Sequence, residues 1–125
     1  MPERGARPCR IMGFWGLGGY ALGFLTALMG RDGIIVCTAA VEDCVHVHLD
    51  DQSRYLAPRD AALHALIAGI RVDEMAHLEF ARWRLPQPSL AWRAVDKWVR
   101  LSTETVIWLS TWGDSSRMKR DLASI

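Results

Sequence analysis

The sequence predicts an all-α protein, a single domain of 125 residues built as a bundle of about four helices. Apolar residues recur at steps of three and four over long stretches, as they do on the inward face of an amphipathic helix. No segment shows the apolar–polar alternation of a half-buried strand. Turns rich in glycine or proline at residues 30–33, 57–59 and 86–88 divide the chain into helical stretches.

The first helix is predicted at residues 11–30, after a polar and basic segment, residues 1–10, that is expected to form a loop. This helix is a run of 20 residues without a charge, which is the length of a membrane span. Only residues 31–33 separate it from the next apolar helix, however. An in-plane membrane helix or a buried core helix is therefore favoured over a span.

The second and third helices, predicted at residues 34–56 and 60–83, form a hairpin. Pro58 lies in the turn between them, and Asp60 is a suitable N-cap for the third helix. The hairpin is the part of the chain that carries its most informative polar residues.

The fourth helix is predicted at residues 90–112, with Ser89 as its N-cap and Gly113 at its end, followed by a charged tail. The chain has six tryptophans, and five of them lie near helix ends or along this last helix among basic residues. A mixture of aromatic and basic residues favours a membrane interface. A core with a solvated face is the alternative for any single tryptophan.

Two carboxylates and a histidine are placed symmetrically in the predicted hairpin. Glu42 lies on its first helix and Glu74 and His77 on its second, and Pro58 is the midpoint between the two glutamates. An antiparallel helix pair would therefore bring Glu42 and Glu74 to the same height. All three residues belong to the apolar stripes of their helices, which run Ile35, Thr38, Glu42, Val45, Leu49, Gln52, Leu56 and Leu63, Ile67, Ile70, Glu74, His77, Ala81.

These positions favour a metal site, because a buried carboxylate is costly unless it is paired or coordinates a metal. Taken singly, the glutamates fit a bundle rim and His77 fits a hydrogen-bonded core histidine. Ferritin-like di-iron bundles, however, take one Glu from each of two helices and a Glu-x-x-His pair from each of two others. This chain has one of each kind, Glu42 and Glu74-x-x-His77. Carboxylate oxygens and an imidazole nitrogen suit non-haem iron or manganese.

Composition excludes several other classes of protein. A net charge of +1 gives no sign of a nucleic-acid partner. The three cysteines, Cys9, Cys37 and Cys44, form no Cys-x-x-Cys motif and are expected to be small buried residues in a reducing compartment.

Several segments resemble the second half of demethoxyubiquinone hydroxylase, a ferritin-like di-iron monooxygenase family of ubiquinone biosynthesis. The resemblance covers nearly the whole chain. It is carried by Gly18-Gly19-Tyr20-Ala21-Leu22-Gly23, Thr26-Ala27-Leu28, Cys37-Thr38-Ala39-Ala40-Val41-Glu42, His48, Gln52 and Arg71-Val72-Asp73-Glu74-Met75-Ala76-His77.

The resemblance implies an oxidoreductase that hydroxylates a demethoxyubiquinol intermediate with dioxygen, using two irons per complete site. It implies Glu42, Glu74 and His77 as iron ligands and assigns no further catalytic residue. The expected partners are membrane lipid and a prenylated quinone, whose tail would need an apolar groove with the helix at residues 11–30 as one wall. The expected location is peripheral, on the cytoplasmic face of the inner membrane.

The chain departs from the family pattern in one major respect. The first Glu and the first Glu-x-x-His of the family belong to two helices that precede the equivalent of residue 10. Three interpretations follow: a truncated homologue that is inactive alone, a homodimer in which two half-bundles bind iron, or a non-catalytic helical protein that binds membrane lipid. As a homodimer, two chains would supply four Glu and two His, the complete ligand set.

Overall fold

A computed structural model of the protein describes residues 12–124, apart from the side chains of Met12 and Phe14. The segment predicted as a basic loop, together with Cys9, lies outside the described residues. Within them the chain is helical and has no strand, so the predicted all-α bundle is confirmed. The five helices are α1 (Met12–Leu28), α2 (Gly30–Leu56), α3 (Ala61–Arg82), α4 (Leu90–Ser110) and α5 (Asp114–Ala123).

Helix α2 is the centre of the molecule, because α1, α3, α4 and α5 all pack against it. Small side chains on α2 let its neighbours approach closely. Cys37 and Ala40 form a buried cluster with Val99 of α4, and Leu22 of α1 packs against the same cluster. Cys37 and Cys44 are buried free thiols, as predicted.

The predicted turn at residues 30–33 is wrong, because the chain turns at Met29 and α2 already begins at Gly30. Gly30 adopts a φ of +78°, a conformation that glycine reaches without steric cost, so a single residue redirects the chain. Gly33 lies where α1 and α2 come into close contact. A Cβ at position 33 would lie 2.5 Å from the carbonyl oxygen of Thr26, closer than real Cβ atoms come.

The predicted starts of the third and fourth helices are confirmed. Asp60 is the N-cap of α3, and its side chain accepts a hydrogen bond from the Leu63 amide at 3.0 Å. Ser89 is the N-cap of α4 and accepts from the Trp92 amide at 3.1 Å. These caps fix where each helix begins and hence the register of α3 along α2.

The predicted charged tail is instead helix α5, which packs back against α2. Gly113, with a φ of +79°, turns the chain after α4. Ser115 is buried at the start of α5, and its hydroxyl lies 3.2 Å from the Thr111 hydroxyl. The helix was missed because it is short and mostly charged and polar, and Met118 and Leu122 are its only large apolar residues.

Two surfaces of the bundle are markedly apolar. On α1, Leu17, Tyr20, Phe24 and Leu28 share one face and are all exposed. On α4, the exposed face carries Trp98, Leu101 and Trp108. Over residues 12–124, no helix has both the length and the apolar character needed to cross a bilayer.

Candidate metal centre

The structure brings Glu42, Glu74 and His77 together between α2 and α3. One potential ligand atom from each residue lies within 4.8 Å of the other two. The short turn after Leu56 sends α3 back along α2, so residues at equal distances from the turn meet. Within residues 12–124 this is the one group of three or more histidine, cysteine or acidic side chains close enough to hold a metal ion.

The three side chains are less buried than their positions in the apolar stripes predicted. Glu42 and Glu74 are half-buried, whereas the His77 side chain is 65% exposed. The expectation of a fully inward site is therefore wrong, and the reason is geometric. The α2-facing side of α3 is centred on Leu78 and Ala81, which are buried, and His77 lies at the edge of that contact. Its Nδ1 is 3.7 Å from Oε2 of Glu74.

The carboxyl groups of Glu42 and Glu74 are close enough that the ionisation of one opposes the ionisation of the other. The pKa of Glu42 is raised to about 7. Burial is the largest cause, followed by the hydrogen bond and the charge repulsion from Glu74, while His77 acts in the opposite direction. Two adjacent carboxylates cannot both ionise without a compensating positive charge, so the site requires either a proton or a cation.

Asp43, next to Glu42 in sequence, ties three helices together. It accepts hydrogen bonds from Arg82 at the end of α3 and from Arg100 of α4. Burial alone would raise the pKa of Asp43, but Arg100 and Arg82 hold it below its ordinary value. By their positions along the helices, Asp43, His46, His48 and Asp73 are the four candidate acceptors for the second ring nitrogen of His77. The structure gives Asp43 the bracing role instead. No local sequence signal pairs it with arginines 39 and 57 residues away.

His48 was a second candidate partner for His77, and its ring nitrogen Nε2 instead lies 3.0 Å from Oε2 of Glu104 on α4. Its Nδ1 is buried and has no hydrogen-bond partner among the described residues, as is also true of Nδ1 of His46. Asp73, the remaining candidate, is exposed.

Glu42 also lines an apolar groove, to which α3 contributes no residue. Helices α1, α2 and α4 enclose about 720 Å³ there. The sequence predicted the glycine-rich first helix as one wall of such a groove, and α1 does form one. The lining residues are mostly small or apolar, namely Trp15, Gly18, Gly19, Ala21, Leu22, Gly23, Leu25, Cys37, Thr38, Val41, Glu42, Trp98, Ser102, Thr103 and Val106.

The fold and the site together define an all-α bundle with a carboxylate–histidine cluster that opens onto an apolar groove. The family described as ubiquinone biosynthesis protein COQ7 matches residues 1–110, and the chain belongs to this family.

Among its relatives is the mitochondrial NADPH-dependent 3-demethoxyubiquinone 3-hydroxylase of Dictyostelium discoideum, 31% identical over 87% of this chain and 52% of that protein. The 3-demethoxyubiquinol 3-hydroxylase of Rhodospirillum rubrum is 29% identical over 86% of this chain and 51% of its own length. The human mitochondrial enzyme is 39% identical over 57% of this chain and 35% of that protein. The chain thus spans about half the length of the first two relatives. No solved structure gives a significant match.

Proposed function

We propose that this chain takes part in the dioxygen-dependent hydroxylation of a demethoxyubiquinol intermediate, with iron held by Glu42, Glu74 and His77. The observation that carries the proposal is the position of Glu42. This residue belongs both to the carboxylate–histidine cluster and to the apolar groove of α1, α2 and α4. A prenylated ring bound in the groove would therefore lie next to the cluster.

The donor set suits iron on chemical grounds. Carboxylate oxygens and an imidazole nitrogen are the ligands of non-haem iron and manganese sites, and the cluster contains no thiolate. The raised pKa of Glu42 supports the same assignment, because a divalent cation would relieve the repulsion that now favours its protonated form. Iron, when bound, would supply the activation of dioxygen.

The residues of the chain would bind and position the substrate. The groove, of about 720 Å³, is lined largely by apolar groups, which suit a prenyl tail and would keep water away from Glu42 once the tail is bound. One atom of dioxygen enters the ring and the other leaves as water, so the reaction needs two electrons and two protons from a reductant. Several relatives are named as NADPH-dependent enzymes, which indicates a source of electrons for those proteins.

Membrane association follows from the nature of the substrate and from the surface of the bundle. A prenylated quinone dissolves in lipid, so an enzyme that takes it from the bilayer needs an apolar surface that contacts lipid. The exposed stripe Leu17, Tyr20, Phe24 and Leu28 of α1, whose residues do not line the groove, supplies such a surface. We include in the proposal a peripheral position on the inner membrane, on its cytoplasmic face.

The proposal is tested by incubating the purified chain with Fe²⁺, a reductant, isotopically labelled dioxygen and a short-tailed demethoxyubiquinol. The expected result is a product that carries one labelled oxygen atom on its ring, detected by mass spectrometry. Glu74→Gln should abolish product formation, because it removes an anionic ligand. Glu79→Gln is the matched control, since Glu79 is an exposed carboxylate on the same helix outside the cluster.

Unlabelled product, or equal yields from the Glu74→Gln and Glu79→Gln variants, would contradict the assignment of the cluster. Saturable binding of the quinol without any hydroxylation would favour the alternative of a non-catalytic protein that binds membrane lipid.

A further inference from the structure

Three hydroxyl groups interrupt the largely apolar wall of the groove. Thr38 of α2 and the neighbouring Ser102 and Thr103 of α4 line the groove together with Glu42. Thr103 is buried, with 9% of its surface exposed, and Thr38 and Ser102 are half-buried. We refer to the hydroxyls of these three residues as the groove hydroxyls. A hydrocarbon tail has no group that would bind them, so they indicate a ligand with a polar end.

The groove hydroxyls also differ from other hydroxyls of the bundle in their hydrogen bonding. A threonine inside a helix commonly donates to the backbone carbonyl oxygen one turn earlier. Thr26 and Thr105 do so, at 2.9 and 2.7 Å. Among the described residues, none of the groove hydroxyls makes this bond or any other hydrogen bond. Leaving a buried hydroxyl without a partner is costly, so a polar group in the groove would stabilise them.

The hydroxyl of α2 is close to the candidate metal centre. Thr38 precedes Glu42 by four residues, one helical turn, so the two side chains share a face of α2. Both line the groove. A polar group that binds Thr38 would therefore lie one turn from the carboxylate of Glu42.

The two hydroxyls of α4 lie at the height of the same segment of α2. Helix α4 runs in the same direction as α2, because Val99 packs in one cluster with Ala40, and Glu104 further along contacts His48. The groove hydroxyls of α4 lie between these two contacts in the sequence. They are therefore beside the part of α2 that contains Glu42.

We infer that Thr38 and Thr103 hold the ring of the bound quinol by hydrogen bonds to its oxygen atoms, an inference that rests on the proposed function. A quinol ring has two oxygen atoms on opposite edges, and a threonine hydroxyl both donates and accepts hydrogen bonds. One hydroxyl from α2 and one from α4 fix the ring against two helices beside Glu42. The two threonines are positioning residues, and the apolar part of the groove takes the tail.

The test is equilibrium binding of a short-tailed demethoxyubiquinone to the metal-free full chain. Quenching of tryptophan fluorescence reports it, since Trp15 and Trp98 line the groove. Thr38→Val and Thr103→Val keep the shape of the side chain and remove its hydroxyl, so each should weaken binding by about two- to tenfold, as expected for one hydrogen bond. Thr103→Ser keeps a hydroxyl and should retain most of the affinity.

Thr105→Val is the matched control and should bind the quinone as the unchanged chain does. Thr105 is an exposed threonine of the same helix, outside the groove, and its hydroxyl already donates to the Leu101 carbonyl oxygen. A prenylated benzene without ring oxygens is the control ligand, measured by its competition with the quinone. Its affinity should be the same for every variant, because it has no group that binds the groove hydroxyls. Circular dichroism of each variant verifies the fold.

Equal quinone affinity of the unchanged chain, Thr38→Val and Thr103→Val would overturn the inference and leave the proposed function standing. Equal weakening of both ligands in the valine variants would also overturn it, since the cause would then be packing. Absence of saturable quinone binding by the unchanged chain would overturn the inference and the proposed function together. Selective weakening of quinone binding, without any labelled product from the hydroxylation assay, would support the ring contacts and overturn the proposed function.

Discussion

The carboxyl groups of Glu42 and Glu74 lie close together, and this contact sets the proton balance of the site. The pKa of Glu42 is raised from 4.5 to about 7, first by burial and then by its acidic neighbour. The folded chain therefore holds a proton that the unfolded chain releases, over the interval between about pH 4.5 and pH 7. A group of this kind makes the metal-free protein less stable as the pH rises through that interval.

Replacing Glu42 by Gln should therefore stabilise the metal-free protein at about pH 8 and have little effect at about pH 4, where the carboxyl is protonated in both states. The measurement is the midpoint of thermal unfolding in the presence of a chelator at the two pH values. Glu79→Gln is the control and should shift neither midpoint by much. Destabilisation by Glu42→Gln at the higher pH would contradict the raised pKa.

The stability of the metal-free protein should fall as the pH rises, whereas its affinity for metal should increase, because a proton on Glu42 competes with a cation. The affinity for Mn²⁺ should rise with pH up to about 7, the raised pKa of Glu42, and then level off. Binding titrations at a series of pH values measure this. In Glu42→Gln the affinity should be low throughout, and its dependence on pH near 7 should be much reduced. An unchanged pH profile in that variant would place the competing proton elsewhere.

At the scale of the helices, the Asp43 contacts hold the register of the candidate metal centre. One carboxylate binds Arg82 of α3 and Arg100 of α4, so it fixes both helices against α2 one residue away from Glu42. The lowered pKa of Asp43 means that its stabilising effect is present above its ordinary value of 3.8 and is lost as the pH falls below that value.

Asp43→Asn should lower the free energy of unfolding by about 1–2 kcal/mol near neutral pH, a range reduced for the partial exposure of both arginines. The difference should disappear in acid, where Asp43 is itself protonated. Chemical denaturation at both pH values measures it. Asp73→Asn, an exposed aspartate on α3, is the control. Equal losses from the two substitutions would show that the arginine contacts contribute nothing specific.

The junction of α1 and α2 depends on the absence of a side chain at Gly33. Gly33→Ala should destabilise the protein by about 1–3 kcal/mol, because its Cβ would meet the Thr26 carbonyl oxygen and Cβ of Met29. Gly69→Ala should have the opposite effect on stability. Nothing lies within 4 Å of a Cβ at Gly69, which is in the middle of α3, so alanine should stabilise by about 0.5–1 kcal/mol. Thermal unfolding of the pair measures both, and the same sign of change in both variants would contradict the close contact.

At the scale of the whole molecule, the bundle has apolar surfaces that solvent does not favour. Flotation with liposomes tests whether α1 provides the lipid contact. The triple substitution of Leu17, Phe24 and Leu28 by Ser should move the protein from the liposome fraction to the soluble fraction, since each buried large side chain contributes roughly 1.5–3 kcal/mol. The matched control replaces Leu66 by Ser on α3. If the triple variant and the control float equally, α1 is not the membrane contact.

The sequence predicted the helical class, the caps and the meeting of the two glutamates, because these depend on local periodicity and on distance from a turn. Asp60 and Ser89 show this most clearly, since a cap is a local interaction. The exposure of His77 and the role of Asp43 could not be predicted. Both depend on which helices flank α2, and the spacing of residues along one helix carries no information about its neighbours.

Helix α5 escaped prediction for a related reason. It packs on α2 after the turn at Gly113, and its inward side has only Ser115, Met118 and Leu122, too few apolar residues to stand out in the sequence. The start of α2 was misplaced because Gly30 and Gly33 resemble the two ends of a loop. In the structure, the chain turns at Met29, Gly30 with its positive φ is the first residue of α2, and Gly33 lies inside the helix where α1 contacts it.

The central claim is that Glu42, Glu74 and His77 bind iron as a unit. The most direct measurement is an anaerobic equilibrium titration of the full chain with Fe²⁺, compared with titrations of Glu42→Gln, His77→Ala and the control His64→Ala. One Fe²⁺ per chain should bind to the unchanged protein and to His64→Ala, and both cluster variants should lose most of this affinity. Equal Fe²⁺ binding by all four proteins, or none by the unchanged protein, would contradict the account.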